Sequence, residues 1–227
     1  MPDLPTVVCY GDSNTHGAIG ATGLRYPREE RWPGVVAREL AGRAHVVEEG
    51  LNGRTTIWDD PFSPGRNGRD YLRPCLDSHA PVAVLVIMLG TNDLKSVLRL
   101  GPAEIAAGAG SLVDVARESA SGPDGGPPAV LLVAPPPLGP PTVSSELWGF
   151  GAARETSRLL APLYREAAAQ SGASFLDAGA LVEADPGDGV HLDPAAHAAL
   201  GRAIAEAVGD LLRGSDVPGR GSIPGAR

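Results

Sequence analysis

The sequence predicts an α/β fold in three layers, α/β/α, with a five-stranded parallel sheet between two layers of helices. Two observations predict it. Five short apolar runs, most of them rich in β-branched residues, alternate with longer amphipathic stretches, which is the pattern of repeated strand–helix units. The third run, Val82–Leu89 (VAVLVIML), is apolar at every position, as a central strand covered on both faces must be.

Each element follows in order. Thr6–Tyr10 (TVVCY) is the first strand and runs straight into Gly11-Asp12-Ser13-Asn14. A helix is expected over Trp32–Leu40, with Pro33 in its first turn and Val35, Val36 and Leu40 on one edge; a proline there gives up no hydrogen bond. His45–Glu48 (HVVE) is the second strand, followed by a glycine-rich turn at Gly50–Thr56. The central third strand ends in Gly90-Thr91-Asn92-Asp93. Pro102–Ser119 again begins on a proline and carries Ile105, Ala109, Leu112 and Ala116 at helical spacing. Ala129–Ala134 (AVLLVA) is the fourth strand, and an apolar loop, Pro135–Pro141, follows it. Gly149–Gln170 reads as one helix bent near Pro162, and Ala173–Leu176 (ASFL) as the fifth strand. The last helix opens on Asp193 as N-cap and Pro194 at its first position, with Leu200, Ile204, Val208 and Leu211 as its stripe.

The 227 residues suit one domain, residues 1–213, with Gly122–Pro128 a surface loop and Gly214–Arg227 a Gly/Pro/Ser-rich tail outside the core. At 43% hydrophobic and 20% charged residues the chain is globular in composition. Its net charge of −8 argues against nucleic acid or anionic membrane as a partner. The cations are 18 Arg and a single Lys, Lys95, a skew with no physical account at this level. Cys9 and Cys75 make no disulfide framework and read as buried thiols in a reducing compartment. With no leader-like segment and no run of 18 apolar residues, a soluble, cytoplasmic protein is expected.

Right-handed crossovers put every strand-to-helix loop at one edge of a parallel sheet, and ligands bind at that edge. Four of its loops are polar: one brings the Ser13 hydroxyl, one a glycine-rich turn, one the Asn92 carboxamide, and the longer connection after the fifth strand the pair Asp188 and His191. A nucleophile, an oxyanion hole and an oriented base need this inventory. Each residue also has an ordinary reading. Ser13, Gly53 and Asn92 are common turn residues, and Asp188 and His191 sit beside a helix start.

The motifs GDSN (11–14), GLNGRTT (50–56), GTND (90–93) and DGVH (188–191) resemble, in that order, the four signature blocks of the SGNH (GDSL) hydrolase superfamily. Within it, RWPGVVARELAG, VVEEGLNGRTTIWDDP, LVIMLGTND and LLVAPPPL are similar to the small bacterial aryl esterase and acyltransferase branch, over roughly residues 6 to 212. The resemblance implies a flavodoxin-like SGNH hydrolase fold, a serine esterase, and Ser13 as nucleophile with Asp188 and His191 completing the triad. It implies an oxyanion hole made by the backbone N–H groups of Ser13 and Gly53 and the side-chain amide of Asn92. It also implies a homo-oligomer whose neighbouring subunits narrow the entrance to the pocket. Two departures stand out. Asn14 replaces the leucine of the GDSL name, and His16 replaces a bulky aromatic of the aryl-esterase branch, which bears on substrate preference rather than on the chemistry.

The chemistry explains the residue types. A serine hydroxyl needs a base, and imidazole titrates near neutrality. Asp188, three residues before His191, can hold Nδ1–H and leave Nε2 facing Ser13. A glycine at 53 lets backbone approach substrate, and a carboxamide donates without titrating. The expected activity is hydrolysis of small acetyl or aryl esters through an acyl-enzyme, with acyl transfer to alcohols as an extension. A carbohydrate acetylesterase, a thioesterase or a lysophospholipase would use the same triad. A non-catalytic binding module is the rival from another class, but the first loop has neither GxGxxG nor GxxxxGK[ST], and the chain has no GxSxG.

Asn14, His16, Trp148, Phe150 and Val190 are the candidate pocket residues. His16 is also an alternative base, although no carboxylate is placed to orient it. Asp12, Arg54 and Asp93 read as loop braces, and His45 and His79 as structural. His191, Asp193 and His197 lack a metal-site pattern, so neither metal nor cofactor is expected, only a small ester substrate.

Overall fold

The computed structural model describes residues 4–215. In chain order they form β1 (Thr6–Gly11), a one-turn α1 (Ser13–His16), a small antiparallel hairpin of β2 (Ala18–Ile19) and β3 (Leu24–Arg25), α2 (Trp32–Glu39) and β4 (His45–Gly50). Next come α3 (Gly68–His79), β5 (Val82–Met88), α4 (Pro102–Arg117) and β6 (Ala129–Ala134). The described residues end through α5 (Val143–Leu147), α6 (Arg154–Arg158), α7 (Leu160–Ser171), β7 (Ser174–Asp177) and α8 (Pro194–Ser215).

The five long strands form one parallel sheet in the order β4-β1-β5-β6-β7. That is the flavodoxin-like order, which reverses direction beside the first strand. Side chains alternate between the two faces, as the period of a strand demands. Val8, Tyr10, Leu85, Ile87 and Leu132 pack under α3, α4 and α7. Val7, Cys9, Val84, Val86 and Leu131 pack under α2 and α8. Three layers therefore enclose two apolar interfaces, and every residue of β5 is buried.

Several sequence expectations need correction. The segment expected as one helix over Gly149–Gln170 is divided: residues 149–153 are not helical, and α6 and α7 meet at Leu159. Pro162 does not bend the helix. It falls in the first turn of α7, where the backbone N–H groups have no intrahelical partner to lose. The helix α3 was not anticipated, because Pro74 lies inside it. Pro74 stays on the exposed face, while Leu72, Cys75 and Leu76 carry the buried one. The last helix, α8, runs to Ser215, and the rest of the expected tail from Gly214 lies outside the described residues. At its start α8 follows expectation, with Asp193 Oδ1 accepting from Ala196 N at 2.7 Å.

Candidate active site

The polar loops meet at the carboxyl edge of the sheet, around the β1/β5 junction where the strand order reverses. Ser13 leads α1 directly off the end of β1, and the Asp12 carboxylate caps that turn by accepting from Asn14 N at 2.9 Å. The turn packs tightly on β4. A Cβ at Gly50 would fall 2.2 Å from His16 N, so only glycine lets the two backbones pass.

Ser13 Oγ lies 3.1 Å from His191 Nε2, and His191 Nδ1 lies 2.7 Å from Asp188 Oδ2. The other carboxylate oxygen, Asp188 Oδ1, accepts from the backbone N–H groups of Val190 and His191, each at 2.8 Å. Burial pushes the Asp188 carboxyl up, but the hydrogen bonds from His191 and from the two N–H groups outweigh it and hold the group below its ordinary range. An imidazole oriented this way, between a fixed anion and a hydroxyl, can take a proton from that hydroxyl.

The loop carrying Asp188 and His191 is braced from three sides. Asn14 Nδ2 donates to Val190 O at 3.3 Å, and Asn14 Oδ1 accepts from Leu192 N at 3.0 Å. Thr142 Oγ1 donates to Asp188 O at 3.0 Å, and Gly139 N donates to Gly189 O at 2.8 Å. The apolar loop after β6 thus supports the Asp188–His191 turn with backbone contacts.

Facing Ser13 are the turns after β4 and β5. Gly53 has φ +80°, a conformation that favours glycine. Asn92 Nδ2 donates to Arg54 O at 3.1 Å and reaches Asp12 Oδ2 at 3.5 Å. Behind it, buried Asp93 accepts from both Thr56 N, at 3.0 and 3.1 Å, and Thr56 Oγ1, tying the two turns together. Burial pushes the carboxyls of Asp12 and Asp93 up to about 6. Arg54 Nη1 donates to Gly11 O at 2.9 Å and to Glu49 O, and its guanidinium lies 4.1 Å over the Tyr10 ring. The bracing expected of Asp12, Arg54 and Asp93 is what these contacts do.

The cavity above Ser13 has a volume of about 760 Å³ and is lined by Ser13, Gly53, Asn92 and His191 together with Trp148, Phe150 and Val190. Trp148 stands edge-on to His191, ring centroids 5.4 Å apart at 79°. Two expected pocket residues are not there. Asn14 turns its amide into the bracing described above, and His16 is absent from the lining. The half-buried His16 ring lies instead beside Gly50 and Arg25; burial and the Arg25 charge lower its pKa. Residues that sequence reasoning missed form the remaining walls: exposed Leu24, Phe62 and Leu147 at the rim, and the ion pair Lys95–Asp60 at 2.9 Å within. The one signal was that Lys95 is the sole lysine of the chain.

Residues 9–199 match the model of the GDSL-like lipase/acylhydrolase family. The chain belongs to that family. As a member of it, the protein is a carboxylic ester hydrolase. It is 39% identical to the native aryl esterase of M. smegmatis, with 92% of this chain and 100% of that one covered at a TM-score of 0.87. It is 41% identical to a carbohydrate acetylesterase from Sinorhizobium meliloti, with 91% and 99% covered at a TM-score of 0.86. The fold extends to a member of the lipolytic G-D-S-L family from Veillonella parvula, at 14% identity and a TM-score of 0.64. No curated protein matches this GDSL-family chain. The resemblance drawn from four short motifs therefore holds over nearly the whole described chain. Among the described residues, no helix is long and apolar enough to cross a membrane.

Proposed function

We propose that this GDSL-family esterase hydrolyses small acyl esters through an acyl-enzyme on Ser13. The observation that carries the reading is the chain of contacts Ser13–His191–Asp188 at 3.1 and 2.7 Å. Ser13 Oγ attacks the ester carbonyl carbon while His191 Nε2 takes the hydroxyl proton. The carbonyl oxygen becomes an oxyanion facing the N–H groups of Ser13 and Gly53 and the Asn92 amide. One amide hydrogen of Asn92 is held on Arg54 O while the other makes only a long contact to Asp12, and Asn92 lines the cavity, which supports it as a donor to the oxyanion. Such donors contribute about 3–4 kcal/mol each to the transition state. The C–O bond then breaks, and His191 returns its proton to the leaving alcohol. Water, deprotonated by His191, releases the acid and restores Ser13; an alcohol bound in its place yields a new ester, the acyl-transfer branch.

A second reading, deacetylation of carbohydrate esters, is favoured by the polar wall of the cavity. Asp60, Lys95, Ser63, Ser96 and Asn52 offer donors and acceptors to a hydroxyl-rich alcohol, whereas the wall of Trp148, Phe150 and Val97 suits an aryl or acyl group. Both free cysteines are buried, which fits a reducing, cytoplasmic setting. The exposed apolar rim of Leu24, Phe62 and Leu147 supports a homo-oligomer.

The test is a p-nitrophenyl ester series from acetate to decanoate beside acetylated sugars, run on wild type and Ser13→Ala. Acetate is expected to be turned over fastest among the aryl esters, and Ser13→Ala to lose roughly 10⁴-fold or more on every substrate. A Ser13→Ala enzyme working at the wild-type rate removes the proposal.

A further inference from the structure

Outside the cavity, on the face of the sheet that carries α3, three side chains of different ligand chemistry converge. Cys75 and His79 stand one turn apart on α3, and Glu49 reaches them from the end of β4. Cys75 Sγ, a carboxylate oxygen of Glu49 and a ring nitrogen of His79 all lie within 4.8 Å of one another. His79 Nε2 and Glu49 Oε1 are 2.8 Å apart. We propose that Glu49, Cys75 and His79 form a binding site for one thiophilic divalent cation of the zinc class, with solvent as fourth ligand.

The donor set is the first argument. Thiolate, imidazole and carboxylate are the three side-chain donors that zinc takes, and four-coordinate tetrahedral geometry is its habit. With bonds of about 2.0–2.3 Å, tetrahedral donors stand roughly 3.3–3.8 Å apart. Donor atoms already within 4.8 Å of one another, with the carboxylate and the ring 2.8 Å apart, bracket that spacing. Spacing on the helix is the second argument, since residues four apart on α3 present their side chains to one point.

Charge and access are the third. A thiolate and a carboxylate cancel the two positive charges of the ion, and a neutral imidazole adds none. Glu49 and His79 are partly exposed while Cys75 is buried, giving the ion a route from water to the sulfur. Tyr71, one turn before Cys75 on α3, lies close to Glu49, where a hydroxyl is placed to orient a ligating carboxylate. The nearby Arg54 guanidinium keeps its charge and opposes a cation, but its hydrogen bonds go to the carbonyls of Gly11 and Glu49 rather than to the Glu49 carboxylate, which stays open to the ion. Sequence alone gave no sign of the site, because Glu49 comes from a different element.

Cobalt(II) is the probe, titrated into the reduced full-length chain. Wild type is expected to bind one Co²⁺ saturably, to show near-ultraviolet thiolate-to-cobalt charge-transfer absorption, and to lose it when Zn²⁺ competes. Cys75→Ser should abolish that absorption, and His79→Ala and Glu49→Gln should weaken binding by at least about tenfold. Cys9→Ala, in the opposite interface, should leave it unchanged. Circular dichroism establishes that each variant is folded; if Cys75→Ser is not, His79→Ala, altered at a partly exposed position, decides alone. Absorption missing in wild type, absorption surviving in folded Cys75→Ser, or unaltered affinity in His79→Ala overturns the site.

Discussion

Asn14 illustrates how much a single side chain next to Ser13 does without touching the cavity. Its amide spans the gap between α1 and the His191 turn, donating to Val190 O and accepting from Leu192 N. The leucine of the family's GDSL name offers neither hydrogen bond, so in this chain the register of His191 against Ser13 rests on a polar clasp. Asn14→Leu leaves a buried N–H and a buried carbonyl unpaired, costing about 1–3 kcal/mol of stability for each group. It also frees the imidazole to drift, and a misplacement of about 1 Å costs on the order of a hundredfold in rate. The expected result is a lower kcat with KM little changed, together with a lower melting temperature. A variant with reduced melting temperature and wild-type kcat would reduce Asn14 to a purely structural part.

At the level of elements, the joint between α2 and α8 holds a titratable group that the reaction does not use. His197, buried near the start of α8, accepts from Trp32 N at 3.3 Å through Nδ1 and meets Tyr26 edge-on. Burial lowers its pKa to about 4, so the fold holds it neutral while an unfolded chain takes up a proton near pH 6.5. Its share of stability is complete above about pH 6.5 and is lost as pH falls toward 4. Asp12 and Asp93 act in the opposite sense. Their raised carboxyls bind protons in the fold before they do in the unfolded chain, so acidification from about 6 toward 4 relieves them. Comparing His197→Gln with wild type cancels the aspartates. The variant is expected to be less stable at pH 7, and the difference should shrink by about 2–3 kcal/mol at pH 4.5 in denaturant unfolding. A difference that does not change with pH would contradict a neutral His197.

Across the whole molecule, the layers were legible because a parallel sheet writes itself as continuous apolar runs, and all five appeared within a residue or two of their positions. The clustering of Ser13, Asp188 and His191 was legible because the three lie in two short motifs, and because right-handed crossovers place those motifs on one edge. The cavity walls were not. Leu24, Phe62, Lys95 and Leu147 come from four separate segments, and only the folded chain assembles them. His16 was misplaced for a related reason: sequence proximity to Ser13 does not say that the turn of α1 points the ring toward Gly50. Also invisible was α3, since Pro74 masks a helix whose inward face carries only a few apolar residues. The exposed apolar rim bears on assembly, and sedimentation is expected to give a species heavier than one 23.2 kDa chain; a lone monomer would remove the oligomer. The composition that had no account at first now has a location. With eighteen arginines and one lysine, the chain carries a single side-chain primary amine, and it sits in the cavity wall against Asp60. Reagents that seek amines, whether a surface for immobilisation or a label for spectroscopy, would find on the side chains no handle but the one in the cavity above Ser13.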